Sequence, residues 1–377
     1  ALSAAKTVLR AAYEIPYIQH APMEPRAATA EWDEGRLTVW TDTQQPFGVR
    51  GDVARAFGLR EDQVRIIAPD FGGGFGGKQD PEVAIEAARL AKEAGKPVAV
   101  HWTREEEFSW AYCRPAGLVE VAAGIADDGS ISAWDFTNYN SGGSGIDCPY
   151  TVPNKRIQFR PSESPLRQGS YRALASTANN FARETFIDIL AAESKSEPLA
   201  FRLAHLSEDR MKGVLTAAAE RFGWANREKA KSPNVGFGIA CGTEKGSFVA
   251  TCAEVELQPD RKRYIIRRVC VAFECGAIQD PKNLQNQVEG CIIMGLGAVL
   301  REKIEFENGR VTNPSFKKYE VPRFKDVPPI DVVLVNRPDL PSVGAGETPI
   351  IAIAPAVANA IADAGGARIY RLPIQWA

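Results

Sequence analysis

Apolar and polar residues alternate in several short runs of the chain, as they do in strands with one buried face. In the first half these strand-like runs lie at 37–41, 64–67, 97–102, 118–123 and 131–139. In the second half they lie at 249–258, 264–273 and 330–336, with Asp260 in the turn between the first two. The sequence Asp127-Asp128-Gly129 predicts a hairpin turn between 118–123 and 131–139. We therefore expect β-sheet in both halves.

Helical periodicity separates these strands. Apolar residues recur at helical spacing in 51–57, 81–94, 178–195, 198–205, 211–222, 285–300 and 348–364. Pro81 suits a first helical turn, and Gly365-Gly366 suits the end of the last helix. This order of strands and helices predicts an α+β fold with mixed sheets and flanking helices. Because 226–234 is polar, we place a boundary there between two parts, 1–228 and 229–377.

The most distinctive run is Gly72-Gly73-Gly74-Phe75-Gly76-Gly77-Lys78, between a predicted strand and a predicted helix. Glycine lets the backbone approach a ligand closely and adopt positive φ without steric cost. Backbone N–H groups in such a loop, together with a following helix N-terminus, can bind an anion. The run therefore predicts a binding site, although a glycine-rich bend between packed elements remains the simpler alternative.

Two phosphate-binding motifs match this run in part. Its Gly72 to Lys78 spacing is that of a Walker A motif, but Gln79 stands where a hydroxyl should hold Mg²⁺. Its Gly72, Gly74 and Gly77 have the spacing of the dinucleotide fingerprint. However, residues 69–71 separate the strand from the first glycine, where a Rossmann turn should be immediate. These residues alone leave a Rossmann-type NAD or FAD oxidoreductase open as an alternative.

The second candidate site is Gly344-Ala345-Gly346-Glu347-Thr348-Pro349, just before the last predicted helix. The helix N-terminus favours an ionised Glu347, whereas burial beside a ligand raises the pKa of a carboxyl group. A carboxylate under such opposed influences suits a general base. An acidic residue that serves only the helix dipole is the alternative.

Three further polar residues lie in contexts that suit either binding or ordinary structure. Gln44 follows a strand, where turn formation is the simpler reading, and Arg172 precedes the long helix, where a surface ion pair is the simpler reading. Gln287 lies at the start of a helical run, where its amide suits either a ligand contact or a helix cap.

Composition excludes several classes of protein. The 377 residues are 45% hydrophobic with a net charge of −2, so the chain supports a substantial core and no nucleic-acid surface. Its seven cysteines and three histidines show no zinc or iron–sulfur spacing, and we expect reduced thiols. This fits a cytoplasmic protein and also allows a periplasmic one. Because the chain begins at Ala1 rather than Met, we expect a processed or partial polypeptide.

Taken together and in this order, the polar segments resemble the molybdenum-binding subunit of the xanthine oxidase family of molybdenum hydroxylases. The matching pieces are Thr43-Gln44, 72–78, Tyr171-Arg172, 287–290 with 294–297, and Gly346-Glu347. Each piece is weak alone, but five in register across nearly the whole chain form a specific signal. Residues 12–25 and 354–360 resemble the isoquinoline 1-oxidoreductase β-subunit group most closely.

The resemblance implies a role for each matching residue. Glu347 is expected to be the catalytic base, and Gln44 to hydrogen-bond an oxygen on the molybdenum. Arg172 corresponds to an arginine that stabilises negative charge on the substrate in purine-oxidising members. The implied cofactor-binding residues are Gly74, Phe75, Gly76, Gly77, Gln287 and Gly346. The pterin dithiolene holds the molybdenum in this family, so no protein ligand to the metal is expected.

The sequence also departs from parts of the family. Gln79 stands where purine-oxidising relatives carry a glutamate, which disfavours a purine substrate. The segment around Tyr171 lacks the active-site cysteine of copper-containing CO dehydrogenases. A Gly-Gln-Gly motif that contacts the dinucleotide in this family is absent from these 377 residues. We therefore expect a C-terminal portion of a molybdenum subunit, completed by a second polypeptide.

The resemblance implies hydroxylation of an aldehyde or N-heteroaromatic substrate, with water as the oxygen source. The expected cofactor is a molybdenum–pyranopterin dinucleotide in its cytosine form. Electrons are expected to leave through a separate [2Fe–2S] subunit, with FAD or haem as further carriers on partners. A cofactor-free interaction or maturation subunit is the non-enzymatic alternative, and the presence of both Gln44 and Glu347 argues against it.

Overall fold

The structure is a computed structural model that describes residues 1–260 and 263–374. Its strands in chain order are β1 (Thr7–Ile15), β2 (Ala27–Asp33), β3 (Arg36–Thr41), β4 (Val64–Ile67), β5 (Val98–His101), β6 (Gly117–Ile125), β7 (Ile131–Tyr139), β8 (Lys155–Arg160), β9 (Val235–Glu244), β10 (Ser247–Leu257), β11 (Tyr264–Glu274), β12 (Phe306–Glu307), β13 (Arg310–Val311) and β14 (Ile330–Leu334).

The α-helices lie between these strands. They are α1 (Pro46–Phe57), α2 (Glu82–Ala94), α3 (Arg104–Trp110), α4 (Ser176–Glu193), α5 (Pro198–His205), α6 (Asp209–Phe222), α7 (Arg227–Ala230), α8 (Pro281–Leu300) and α9 (Ile353–Asp363). Short 3₁₀ helices occur at Leu2–Ala4, Glu61–Gln63, Trp224–Asn226, Phe324–Asp326 and Thr348–Ile351. No helix among the described residues is long and apolar enough to cross a membrane.

The strands form mixed sheets, which confirms the predicted α+β fold. Their orders are β1-β6-β7-β8, β14-β11-β10-β9 and β4-β3-β2-β5, with β12 and β13 as a separate hairpin. Each four-stranded sheet has one parallel edge pair, β7–β8, β11–β14 or β3–β4, and antiparallel pairs elsewhere.

The order of the third sheet shows that the Rossmann alternative is wrong. A Rossmann unit continues from strand through helix to a second parallel strand of the same sheet. Here the strand that follows the glycine loop and α2 is β5, which pairs antiparallel with β2 at the far edge from β4. The glycine spacing therefore does not belong to a dinucleotide-binding unit of that kind.

Close packing of α9 on β9 and β10 explains why small residues occur in both partners. A Cβ at Gly236 or Gly238 of β9 would overlap backbone atoms of α9. The helix presents buried alanines such as Ala356 and Ala360, which let the two backbones approach. On the other face α6 packs against β10 and β11. The central strands are thus covered on both sides.

Helix α4 is the central element of the largest core cluster. Its residues from Ser176 to Asp188 are buried, and it packs against β1, β6, β9 and α9. Glu184, fully buried, accepts hydrogen bonds from Arg202 Nε at 3.0 Å and from the Tyr150 hydroxyl at 2.7 Å. Pairing of this kind satisfies charges that would otherwise be costly in the interior. The rigid helix begins four positions after Arg172 and so fixes the segment that carries it.

Several predicted elements have different bounds. The predicted helix 51–57 begins at Pro46, and 285–300 begins at Pro281, where the Asp280 carboxylate caps the N–H of Asn283 at 3.0 Å. The single helix predicted at 348–364 is wrong, because a 3₁₀ turn precedes α9. The elements without a counterpart in the prediction are strands β1, β2, β8, β9, β12 and β13 and helices α3 and α7.

The largest core cluster draws residues from both predicted parts, including Tyr13 and Phe181 from 1–228 and Val255 and Ile361 from 229–377. A second cluster lies between α1, α2 and the β4-β3-β2-β5 sheet. The boundary placed at 228 remains a prediction.

Candidate active site

A cavity of about 510 Å³ lies where the glycine loop, the turn before α4 and the segment before α9 meet. Seven of the nine predicted site residues line it: Gln44, Phe75, Gly76, Arg172, Gln287, Gly346 and Glu347. Another cleft of about 470 Å³ lies on the β1-β6-β7-β8 sheet and contains none of them. The fold therefore brings together residues from four separate parts of the chain, 44–76, 172, 287 and 346–347.

The amide of Gln44 has an orientation set by the glycine loop. Its Oε1 accepts hydrogen bonds from the N–H groups of Gly76 at 3.1 Å and Lys78 at 3.2 Å. Its own N–H donates to the Lys78 carbonyl at 2.8 Å. Only an oxygen can accept from two N–H groups, so Nε2 is left as a donor. Gln44 thus offers an N–H group at the cavity.

Three residues of the glycine loop adopt a backbone conformation with positive φ. Gly73 and Gly76 have φ of 90° and 95°, and Phe75 between them has φ of 55°, which is unusual for a residue with a side chain. A Cβ at Gly76 would lie 3.1 Å from Tyr171 Cα, so a side chain there is disfavoured by both conformation and space. The phenyl ring of Phe75 is 38% exposed and lies at the cavity.

The other two predicted loop residues lie behind the cavity lining. A Cβ at Gly74 would lie 2.5 Å from Gln44 Oε1, and a Cβ at Gly77 would lie 2.7 Å from His20 Cγ. These glycines leave room for Gln44 and for the imidazole rather than for a ligand. Their predicted contact with a cofactor stays a prediction.

Arg172 links two other predicted residues. Its Nε donates to the Gly346 carbonyl at 2.7 Å, and its Nη2 donates to Gln287 Oε1 at 2.9 Å. The guanidinium also lies 6.0 Å from the centre of the Phe75 ring, within range of a cation–π interaction. Arg172 therefore holds the α8 and Glu347 segments together, and its predicted action on substrate charge stays a prediction.

Glu347 is held by one of its two carboxylate oxygens. Its Oε2 accepts the N–H of Ala173 at 2.9 Å. Its backbone carbonyl accepts from Ile350 in the following 3₁₀ turn at 3.2 Å, and the Cys291 thiol lies 3.4 Å from the Gly346 carbonyl. Burial raises the pKa of this thiol to about 11, so it stays protonated and can donate. The second carboxylate oxygen, Oε1, has no hydrogen-bond partner among the described residues, and Glu347 lines the cavity.

Two adjacent residues after Arg172 adopt the left-handed conformation. The φ values of Ala173 and Leu174 are 63° and 50°. Non-glycine residues in this region cost of order 1–3 kcal/mol each and tend to occur at functional sites. Here the conformation points the Ala173 N–H at Glu347. The strained conformation therefore fixes the orientation of the Glu347 carboxylate.

Sequence reasoning missed several residues of the site. Ser170 and Lys245 line the cavity, and so does Tyr171, which belongs to a matching piece but was predicted to have no role of its own. Lys245 also adopts a left-handed φ of 53°. His20 lies beneath the loop, with Nε2 2.6 Å from the Ser170 carbonyl, and burial lowers its pKa to about 4. His20 lies in the 12–25 segment that carries the family resemblance, but no site role was predicted for it. Only tertiary packing places the imidazole there.

The lysine of the glycine run is not a ligand-facing cation. Lys78 is 1% exposed, and its Nζ lies 2.5 Å from Asp42 Oδ2 and 3.4 Å from Glu24 Oε2. Glu24 also accepts the N–H of Gly72 at 2.5 Å. This burial confirms that the Walker A reading fails, because a phosphate-binding lysine must reach its ligand.

Comparisons with known proteins identify relatives of the chain. Residues 1–206 and 200–328 match two models described as molybdopterin cofactor-binding domains. The chain is 29% identical over 404 residues to a subunit of nicotinate dehydrogenase from Pseudomonas putida, covering 97% of this chain and 34% of that protein. It is 27% identical over 382 residues to the beta subunit of isoquinoline 1-oxidoreductase from Brevundimonas diminuta, covering 95% and 49%. The chain thus spans about a third and about half of these relatives.

Solved structures show the same fold. The aldehyde oxidoreductase from Desulfovibrio gigas superposes with a TM-score of 0.87 at 17% identity, covering 99% of this chain and 60% of that one. Quinoline 2-oxidoreductase from Pseudomonas putida 86 superposes with a TM-score of 0.86 at 17% identity, covering 96% and 74%. These superpositions confirm the fold, and the matches to the two molybdopterin cofactor-binding domain models confirm the resemblance drawn from the sequence motifs.

Proposed function

Because the chain belongs to the molybdopterin cofactor-binding domain family, we propose that its cavity holds part of a molybdenum–pyranopterin cofactor. The whole protein would then be an oxidoreductase that hydroxylates an aldehyde or an N-heteroaromatic substrate with water. The observation that carries the proposal is the convergence of Gln44, the Phe75-Gly76 loop, Arg172 and Glu347 on one cavity.

The donors at the cavity fit such a cofactor. Gln44 offers Nε2, and the N–H group of Phe75, which lines the cavity, has no acceptor among residues 1–260 and 263–374. Two cationic side chains, Arg172 and Lys245, line the cavity and favour an anionic ligand such as a pyrophosphate. Gly76 has no side chain to occupy the space beside Tyr171. The site thus presents hydrogen-bond donors, positive charge and room at one place.

Glu347 supplies the acid–base group. The bound cofactor would contribute two-electron redox chemistry at molybdenum. Glu347 would accept a proton on Oε1, because Oε2 is occupied by the Ala173 N–H. That hydrogen bond holds the carboxylate in one orientation, which general base catalysis requires. Arg172 would keep the Glu347 segment in register through its bond to the Gly346 carbonyl.

We further propose a cytosine dinucleotide form of the cofactor and partner polypeptides. Hydroxylation with water releases two electrons and two protons, so the electrons need an acceptor. The seven cysteines of this chain have no iron–sulfur spacing, and the two named relatives are subunits of larger enzymes. A [2Fe–2S] subunit, with FAD or haem beyond it, supplies the path. A second polypeptide would complete the pterin site, and the compartment is the cytoplasm or the periplasm.

Elemental analysis of the complex purified from its source tests the cofactor. We expect molybdenum at about one atom per copy of this chain. Acid hydrolysis of the cofactor should release cytidine monophosphate. A complex that turns over aldehydes or N-heterocycles without molybdenum would refute the proposal. Release of a different nucleotide would refute only the cytosine form.

Glu347→Gln tests the assigned base. Glutamine keeps an oxygen that accepts the Ala173 N–H, so the loop and the cofactor should stay in place. We expect unchanged molybdenum content and a kcat lower by about 10²–10⁴-fold, the range for a lost proton transfer. Glu305→Gln, at an exposed glutamate paired with Lys303, is the matched control and should retain wild-type kcat. Near wild-type kcat in fully loaded Glu347→Gln would contradict the role.

A further inference from the structure

Two buried side chains that do not line the cavity, Tyr112 and Arg26, form hydrogen bonds with backbone carbonyl groups of the glycine loop, and we call them the buried layer. The Tyr112 hydroxyl donates to the Gly76 carbonyl. The Arg26 guanidinium, 2% exposed and paired with Glu107, donates to the Gly77 carbonyl. Nothing in the sequence motifs points to these residues.

Each of two successive peptide groups in the loop is held at both ends. In the Gly76–Gly77 peptide, the carbonyl accepts from Tyr112 and the N–H donates to the Gly74 carbonyl at 2.7 Å. In the Gly77–Lys78 peptide, the carbonyl accepts from Arg26 and the N–H donates to Gln44 Oε1 at 3.2 Å. The orientation of these peptides therefore depends on the buried layer.

One of the clamped peptides bonds the Gln44 amide directly. The Gln44 Oε1 accepts from the Lys78 N–H of the 77–78 peptide, and from the Gly76 N–H of the adjoining 75–76 peptide. Tyr112 holds the carbonyl of that same residue, Gly76. If these N–H groups changed orientation, Gln44 Oε1 would lose the two hydrogen bonds that hold the oxygen, rather than Nε2, on the side of the loop. The amide could then rotate, and Nε2 would no longer be fixed as the group offered at the cavity.

His20 completes the layer from the other side. Its ring lies 5.4 Å from the ring of Tyr112 and 5.2 Å from that of Tyr171. Its Nε2 lies 2.6 Å from the Ser170 carbonyl, which can only accept, so the ring donates there. The imidazole thus packs the glycine loop against the Tyr171 turn.

We propose that Tyr112 and Arg26 are positioning residues that hold the Gln44 amide in its donor orientation through the 76–77 and 77–78 peptides. The inference rests on the proposed function, in which Gln44 donates to the cofactor site. Neither side chain lines the cavity, so neither is assigned contact with cofactor or substrate.

Tyr112→Phe removes only the hydroxyl and is the principal test. In the purified complex we expect kcat to fall about tenfold, with KM within twofold and molybdenum content unchanged. Hydrogen exchange of the 72–80 segment should become about tenfold faster at the Gly76 and Gly77 amides. Tyr17→Phe is the matched control, because that buried tyrosine bonds Ser164 away from the loop. It should change neither kcat nor exchange in this segment.

A double-mutant cycle separates positioning from general structural support. If Tyr112 acts through Gln44, adding Tyr112→Phe to Gln44→Ala should lower kcat less than twofold further. An undiminished tenfold effect in the Gln44→Ala background would overturn the proposal, as would wild-type kcat and exchange in Tyr112→Phe. The exchange measurement does not depend on molybdenum. A complex without molybdenum would therefore refute the proposed function while exchange still decides whether Tyr112 clamps the loop.

Discussion

Acidification from pH 7.5 to pH 5 should act on two buried groups with opposite effects on stability. His20 is 5% exposed, and burial lowers its pKa to about 4 from an ordinary value of 6.5. Between pH 6.5 and pH 4, His20 is therefore protonated in the unfolded chain and neutral in the folded chain. The stability that neutral His20 contributes is complete above pH 6.5 and is lost as the pH falls towards 4.

Glu302 has the reverse linkage. It is 6% exposed, accepts the Tyr319 hydroxyl at 3.0 Å, and burial raises its pKa from 4.5 to about 7. The folded chain keeps a proton that the unfolded chain releases. This contribution to stability is complete below pH 4.5 and is lost as the pH rises through 7.

The two contributions nearly cancel in the wild-type protein. Integration over the interval from pH 7.5 to pH 5, at about 1.4 kcal/mol per pKa unit, gives a loss of about 2 kcal/mol from His20. The same integration gives a gain of about 2 kcal/mol from Glu302. Neither group is visible in the wild-type pH profile alone, so single variants are needed.

Urea unfolding at the two pH values, followed by tryptophan fluorescence, separates the groups. Relative to wild type, acidification should favour His20→Gln by about 2 kcal/mol and disfavour Glu302→Gln by about 2 kcal/mol. Glutamine can still donate to Ser170 in the first variant and accept from Tyr319 in the second. His101→Gln, at an exposed histidine, should follow the wild-type profile. Parallel pH profiles for both buried-site variants and wild type would refute the reasoning.

Two further substitutions test packing and buried charge. Gly238→Ala places a Cβ onto a backbone carbonyl of α9 and should lower the free energy of unfolding by about 3 kcal/mol or more, the upper end for overpacking. Gly213→Ala, in open space on α6, should instead be neutral or stabilising by up to about 1 kcal/mol; equal effects in urea unfolding would contradict this packing. Arg202→Met leaves buried Glu184 without its cation and should cost about 3–5 kcal/mol, whereas Arg221→Met, at an exposed pair, should cost under about 1 kcal/mol. A small Arg202→Met effect would show that Glu184 does not depend on the pair.

The sequence pattern predicted elements with one solvent-facing side better than elements buried on both sides. Helix α2 was predicted at 81–94 and lies at Glu82–Ala94, because its apolar face is narrow and Gly95 ends it with a φ of 61°. Strand β9 was missed. All residues from Val235 to Cys241 are buried, so the strand shows no alternation of apolar and polar residues that would identify it. From the sequence alone, Gly236 and Gly238 suggest a loop. Their role in the strand becomes clear only from the packing of α9 against them.

The sequence predicted residues that line one cavity, but it did not predict the contacts among them. The motifs placed Gln44, Arg172 and Glu347 together through family resemblance. The bond from Arg172 to Gln287 joins α8 to the turn before α4, and no local pattern contains it. No local pattern predicts the hydrogen bond from the Ala173 N–H to Glu347 either, because it depends on two non-glycine residues, Ala173 and Leu174, in the left-handed conformation. Such contacts follow from tertiary packing and from strain that only the assembled fold can maintain.

Phe75 and Gly76 of the glycine run line the cavity, but most of the glycines have a structural role that differs from the predicted one. Glycine density predicted a cradle of free amides for an anion. Most of its N–H groups have intramolecular acceptors instead: Gly72 on Glu24, Gly73 on Phe71, Gly76 and Lys78 on Gln44, and Gly77 on Gly74. The missing side chains make room for Gln44, His20 and Tyr171. The loop is therefore tightly packed around one amide side chain, that of Gln44, and among the described residues only the N–H groups of Gly74 and Phe75 in this run have no acceptor.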